Sequence, residues 1–389
     1  MKVVLYLLAS YIITKPFYLW SSGLPQISDF VLLVAFMIIL FVVDKKTIYQ
    51  VVKENKLFFL FLLFVVIINV FYSIYYGEND FLLHMLYYIF DALGIIVFVV
   101  TYKKIDTSKR ILSNSFKISI LIQFLIFFLQ IGRYYLSTRY MGTFNDPNQF
   151  AYYCFLSFGF IYLLDLGNSK KRKVDILFLF ISLILIYNSA SAGMLFGMGI
   201  FIILYLIPLV KKLLINLRRY SIFLALLSLC LAVGFLSFFV FEEEIHFDLF
   251  DNIAISRVQN KLNNATGNNS ITLWEERGYD RFYHYPYYSI FGFGEGAYWR
   301  LEKTYHQNEL HGTIPSILFC YGFVPTVFIT IWFIKKLKKQ RWETMCIYLA
   351  LLLESFTLIN SRQVLFWVIF AIAPYIVVRK ELEESAMKS

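Results

Sequence analysis

Four of the five histidines and a cluster of arginines fall in one polar stretch, from about Phe241 to Phe323, which ends in Tyr305-His306-Gln307-Asn308-Glu309-Leu310-His311-Gly312. Imidazole titrates near neutral pH and suits removal of a proton from a hydroxyl. His311 is therefore a candidate base, with His306 and Glu309 close enough in sequence to tune or orient it; the alternative is an interfacial polar anchor. Arg277 and Arg281 are spaced i, i+4, so on a helix both guanidinium groups would project from one face. Their planar forks match phosphate or carboxylate oxygens, or they pair with Glu276 and Asp280 in a surface lattice. In Arg139-Tyr140-Met141-Gly142-Thr143-Phe144-Asn145-Asp146-Pro147-Asn148, the Asn-Asp-Pro run is turn chemistry. It makes Asn148 the expected N-cap of the next helix, whose free amides and Arg139 would form an anion cradle. Arg362, in Asn360-Ser361-Arg362-Gln363, is a candidate third phosphate or sugar ligand. Gly292-Phe293-Gly294-Glu295-Gly296 lacks the strand context of a dinucleotide motif and reads as a flexible turn. His84 and Asp91, seven residues apart, share a helical face and either pair with each other or serve function. Cys154, Cys230, Cys320 and Cys346 show no ligand spacing and read as buried apolar residues. No metal site or cofactor is expected.

The elements that must position these groups are apolar. The chain of 389 residues is 59% hydrophobic and only 16% charged, against about a quarter charged in soluble domains. Hydropathy gives twelve candidate spans, at 3–20, 29–43, 57–75, 81–100, 111–132, 149–166, 174–188, 193–210, 221–241, 313–334, 344–360 and 364–378; a bilayer needs ~20 residues per helix, and the second, seventh and last are short, so eleven to thirteen spans are expected. The expected division is residues 1–241 as N-terminal spans, 242–312 as one large loop, and 313–389 as C-terminal spans and tail. No cleavable signal peptide is expected at the start. The net charge of +10 comes mainly from lysine-rich short loops at alternate turns. That placement reads as the positive-inside signal rather than as a nucleic-acid surface. It sets both termini and the lysine loops inside and the large loop outside. Of the ten basic residues assigned outside, seven are arginine, whereas the remaining basic residues are mostly lysine. Guanidinium chosen where topology needs no charge points to anion recognition.

Taken in order, these features resemble the O-antigen polymerase and O-antigen ligase superfamily (Wzy and WaaL). Arg139 with Gly142-Thr143-Phe144-Asn145-Asp146-Pro147-Asn148 resembles that family's Arg followed by GTF-x-x-PN. Arg277 through Gly294 resembles its Arg, aromatic, Pro and Gly-x-Gly loop motif. His311-Gly312, eleven residues ahead of Gly322, resembles its histidine before the next span. The likeness covers most of 110–370; Gly312 stands where Asn is commoner, and Ser191-Ala192 where members often have Ser-Arg.

The resemblance implies an all-α polytopic membrane protein of GT-C-like architecture in the bacterial inner membrane. It implies a metal-independent, inverting transferase acting on undecaprenyl-diphosphate-linked oligosaccharides, with a membrane chain-length regulator as a partner. Arg139, Arg277 and Arg281 would hold the diphosphate and His311 would deprotonate the acceptor. Short chains with this motif resemble polymerases more than ligases. A flippase or transporter is the alternative class, disfavoured because the spans carry little charge and show no paired broken helices.

Overall fold

The computed structural model describes residues 1–21, 23–166, 172–216, 256, 273–305, 307, 309–338 and 340–386. The expected span at 221–241, Cys230, His246, His306 and Asn308 lie outside these residues.

The chain is mostly helical. The N-terminal part runs α1 (Lys2–Thr14), α2 (Ile27–Val42), α3 (Lys45–Glu54), α4 (Lys56–Tyr76), α5 (Asp80–Lys104) and α6 (Ser108–Phe128). A hairpin of β1 (Arg133–Tyr135) and β2 (Arg139–Gly142) leads into α7 (Pro147–Asp165), α8 (Arg172–Asn188) and α9 (Ala192–Asn216). Among the described residues, the polar segment holds the short turns α10 (Leu273–Glu276), α11 (Arg281–His284), α12 (Tyr288–Phe291) and a 3-10 turn at Tyr298–Arg300. The chain then closes with α13 (Thr313–Tyr321), α14 (Phe323–Leu337), α15 (Trp342–Glu354) and α16 (Val364–Ala386). Among the described residues three helices, α4, α5 and α6, are long and apolar enough to cross a membrane, and several shorter apolar helices accompany them.

Two helices organise the packing. α5 lies against α2, α4 and α16, with Ile95, Val97, Phe98, Val99 and Val100 at 0% exposure or near it. α7 is buried from Phe150 to Asp165 on every side, the pattern of a helix enclosed by others. Outward faces remain apolar: Phe41 is 83% exposed on α2 and Ile74 79% on α4. Such an exterior suits hydrocarbon rather than water. Inside, Phe58, Trp332 and Trp367 interlock at ring-centroid distances of 5.1–6.1 Å, packing that must hold helices together where the solvent is itself apolar. One charge pair is sunk in this interior: Lys117 of α6 binds the carboxylate of Asp165 of α7, which also accepts from Ser113.

The lysine-rich turns collect at one end. Glu54 receives Lys103 at 3.0 Å and the Tyr375 hydroxyl, and its carbonyl receives Lys336; Asp44 faces Lys104 at 3.5 Å. The arginine-bearing turns meet at the other end, where Thr143 bonds the Pro16 carbonyl and Arg139 bonds the Ser189 carbonyl.

Several expected boundaries shift for local reasons. The first helix stops at Thr14, just before Pro16, so residues 16–26 form a loop held by the Gln26 side chain on Leu19 and Trp20 amides. The basic loop at 45–56 contains α3, N-capped by Asp44 on the Thr47 amide. The helix at 147–165 is capped by Asp146, which accepts from the amides of Asn148 and Gln149 at 2.8 and 2.9 Å. Asn148 is thus not the N-cap; Pro147 takes the first helical position, where its missing N–H is harmless.

The expected span 313–334 is divided at Gly322, whose φ of +80° ends α13 and opens α14. A Cβ there would lie 2.4 Å from the Ile290 carbonyl oxygen, so the break is where α12 seats against the bundle. Gly322→Ala should destabilise the protein by about 1–3 kcal/mol through the positive φ alone. Thermal unfolding in detergent would show it, and an unchanged midpoint would refute this account of the break.

Candidate functional site at the arginine end of the bundle

The polar segment is fixed where it meets the α15–α16 turn. Thr313 is the staple: its amide bonds the carbonyls of Ser355 and Leu358 at 2.6 and 3.0 Å, and its hydroxyl bonds Leu358 at 2.9 Å. The Asn360 amide returns a bond to the same hydroxyl at 2.6 Å. Tyr279 donates to the Phe356 carbonyl at 2.7 Å. Arg277 donates to the Thr357 carbonyl, and the His311 amide donates to the Arg277 carbonyl at 3.2 Å. Arg277 and His311 are therefore backbone neighbours, and His311 is exposed. Among the described residues no carboxylate lies within ion-pair distance of Arg277, and burial pulls its pKa below the ordinary arginine value.

Arg139 is fixed at the α8–α9 turn. Its Nε bonds the Ser189 carbonyl at 3.0 Å and Nη2 bonds Asn148 Oδ1 at 2.8 Å. Gly193, just beyond that turn, packs so closely that a Cβ would sit 2.6 Å from Thr357 Oγ1. Of the residues singled out in the sequence, Arg277 thus bonds the 355–362 loop, His311 bonds Arg277 through its backbone, and Arg139 bonds the turn that leads to Gly193. Asn148 serves by orienting Arg139.

Arg281 behaves differently. Gly278 (φ +73°) interrupts the helix between the two arginines, so they do not share a helical face. The Arg281 side chain is wholly buried, over the Phe319 ring at 5.6 Å, and burial lowers its pKa. It braces α11 against α13 rather than reaching the surface.

Arg362 and Glu309 also take roles the sequence did not indicate. Arg362 Nη2 lies 2.7 Å from Glu295 Oε1 and 2.8 Å from Glu309 Oε1, so its charge is matched twice over and is not open for a phosphate. Glu295 is 1% exposed. Its other oxygen accepts from Tyr321 at 2.7 Å, and its amide bonds Asn69 Oδ1 at 3.0 Å. Burial works to raise the Glu295 pKa, but Arg362 and His84 overcome it and hold the carboxyl below its usual range. For Arg362, burial opposes the charge while Glu295 and Glu309 push its pKa up. Glu309, instead of turning to His311, faces His84 Nε2 at 3.6 Å. Burial alone would raise its pKa; His84 and Arg362 bring it down to about 2.

That depressed value fixes a sign. The stabilisation from ionised Glu309 is complete above the unfolded carboxyl value of 4.5 and fades as pH falls toward 2. The stability gap between the native chain and Glu309→Gln should close as pH falls below 4.5. A gap that instead opens in acid would contradict the pairing.

The glycine-rich turn is not slack. The amides of Phe293 and Gly294 bond the carbonyls of Phe319 and Cys320 at 3.0 and 2.8 Å. Arg300 sits over the rings of Phe293, Tyr76, Tyr72 and Phe81 at 3.6, 4.6, 5.0 and 5.3 Å, stacking that a guanidinium favours. Glu295, Arg300 and Asn69 escaped sequence reasoning; an acid enclosed by glycines beside a span was the one available signal. His84 and Asp91 do not pair: His84 turns to Glu309 and to the Asp80 carbonyl. No cluster of metal-ligating side chains occurs among the described residues.

The arrangement offers two arginines and an exposed imidazole beside a rigid, charge-balanced brace, at the mouth of an apolar bundle. No family model matches the chain, and no curated protein matches it.

Proposed function

We propose that this chain is a multi-pass membrane glycosyltransferase that takes a glycan from a polyprenyl-diphosphate carrier, as enzymes of the O-antigen polymerase and ligase superfamily do. In this reading the chain has twelve spans in a GT-C-like layout, in the bacterial inner membrane, with both termini cytoplasmic and the 242–312 loop outside. The observation that carries it is Arg277 bonded to the 355–362 loop with the His311 backbone bonded to Arg277, at the end of the bundle opposite the lysines.

The chemistry follows from charge. A lipid diphosphate is already a good leaving group, so the protein need only stabilise the negative charge that grows on it and remove a proton from the acceptor. Arg277 and Arg139 bring positive charge to that end of the bundle, Arg277 bonded to the Thr357 carbonyl and Arg139 to the Ser189 carbonyl and Asn148. His311 beside Arg277 is the first imidazole available to the acceptor hydroxyl. Attack opposite the leaving diphosphate would invert the anomeric centre. A cavity of about 500 Å³ supports a lipid substrate. It runs beside α14 and α15 from Phe356, next to Thr357, down to Lys338, between Ile317, Ile329, Phe333 and Leu352. Its upper end lies next to the turn that holds Arg277, so a hydrocarbon tail in it would bring its diphosphate to that arginine.

The test is reconstitution of the full chain with an undecaprenyl-diphosphate oligosaccharide, with and without lipid A-core, and separation of products on a gel. A ladder from the lipid-linked repeat alone supports a polymerase, the preferred form. Product only with lipid A-core makes it a ligase. Movement of the lipid-linked glycan between leaflets without transfer refutes the proposal in favour of a flippase.

A further inference from the structure

The brace at the mouth of the bundle cancels its own charge, yet part of it stays accessible. The Arg362 side chain is 23% exposed and that of Glu309 38%. Arg362 commits Nε and Nη2 to Glu295 and Glu309, and Glu309 meets both Arg362 and His84 through Oε1. Among the described residues, Arg362 Nη1 and Glu309 Oε2 enter no bond. A guanidinium carries five N–H donors and a carboxylate about four acceptor sites, so the pair presents a donor next to an acceptor. His84 adds neither: its nitrogens are occupied by the Asp80 carbonyl and by Glu309, and the imidazole backs the carboxylate.

The third group is aromatic. Tyr87 lies two turns into α5 and is half-buried. Its ring centre is 5.5 Å from the Arg362 guanidinium carbon and 6.0 Å from the centre of the His84 ring. The Tyr87 hydroxyl donates to the Gly23 carbonyl at 2.7 Å, which ties the ring to the α1–α2 loop.

These three groups select a ligand by their chemistry. Phosphate oxygens accept and do not donate, and the carboxylates of Glu295 and Glu309 against Arg362 repel them. A sugar hydroxyl does both, so neighbouring hydroxyls can give a hydrogen to Glu309 Oε2 and take one from Arg362 Nη1 in charge-assisted bonds. The C–H face of a sugar ring settles on the negative face of an aromatic ring. Carboxylate, guanidinium and tyrosine together thus fit an uncharged polyhydroxyl ring better than an anion. Leu310 alone separates Glu309 from His311, whose amide bonds Arg277. A sugar held by Glu309 is therefore next along the chain from the residues given to the transfer.

We propose that Tyr87, Glu309 and Arg362 form a binding subsite for a neutral sugar of the lipid-linked oligosaccharide; the identity of that oligosaccharide rests on the glycosyltransferase reading. The three residues position the sugar and take no part in bond making.

The experiment measures binding without transfer. The oligosaccharide repeat, released from its lipid diphosphate, is titrated calorimetrically into the full chain in nanodiscs, for the native protein, Tyr87→Leu, Tyr87→Phe and Glu309→Gln. Melting temperatures establish which variants are folded, and Tyr87→Leu and Glu309→Gln test the subsite independently of each other. Expected is an affinity weaker by about fivefold or more in both of these. Tyr87→Phe, which keeps the ring and loses only the Gly23 bond, should stay within about twofold of native. Excess inorganic pyrophosphate should leave the native affinity equally unchanged. Native-like affinity in either folded variant, Tyr87→Leu or Glu309→Gln, overturns the subsite and leaves these residues as a brace alone. Displacement of the oligosaccharide by pyrophosphate overturns it too, because the site would then select phosphate. In a parallel transfer assay with the lipid-linked repeat, product formed by a native chain that does not bind the released oligosaccharide strikes the subsite only. Binding without transfer strikes the transferase reading and leaves the subsite standing.

Discussion

Arg277→Ala is expected to cut transfer by about 10²–10³-fold in kcat/KM, the usual cost of removing one donor aimed at developing charge. The side chain is anchored through one nitrogen to the Thr357 carbonyl, and among the described residues no acid shares it. In the proposed reading its other nitrogens are the donors that meet the diphosphate. Arg277→Lys should recover only a small part, because an ammonium keeps the charge but loses the fork that can hold Thr357 and an oxyanion together. Initial rates with saturating acceptor would decide. If lysine restores full activity, the residue acts as a point charge and the geometric argument fails.

Arg362→Met should be the most destabilising single change in the described site, at about 3–5 kcal/mol, because it leaves a buried carboxylate without its cation. Glu295 is 1% exposed and depends on Arg362 for charge and on Tyr321 for a hydrogen bond. Removing both partners should cost less than removing one, so Glu295→Gln combined with Arg362→Met should recover part of the loss. Denaturation of the four proteins in detergent closes this cycle. Equal losses in the single and double variants would show that Arg362 matters only for packing.

Much of the helical framework was legible because apolar runs of span length leave few alternatives. The errors lie where one residue overrides a run. Pro16 ends α1 early, and Gly322 splits what hydropathy joins. Around Asn145-Asp146-Pro147-Asn148 the turn was evident but the cap was misplaced, since Asp and Asn both cap well and only the first-turn position of Pro147 decides between them. In the site, Arg139 and Asn148 were singled out separately, and the bond between them emerges only once β2 and α7 are set side by side. The helical pairing of Arg277 with Arg281 failed because Gly278 adopts a positive φ that spacing does not encode. Glu295, Arg362 and His84 come from distant parts of the chain, and no local pattern links them. Such partners become visible only after the spans have folded against one another.

The Lys117–Asp165 pair bears on how the chain is built rather than on what it does. Lys117 lies midway along α6, where a lone charge on a helix crossing a bilayer is penalised by about 2.5–3.5 kcal/mol during insertion. Lys117 meets a carboxylate on α7, and only the β1–β2 hairpin and its flanking residues separate α6 from α7 along the chain. The translocon would therefore release these two helices together, as a pre-neutralised pair, before α8 and α9 close around α7.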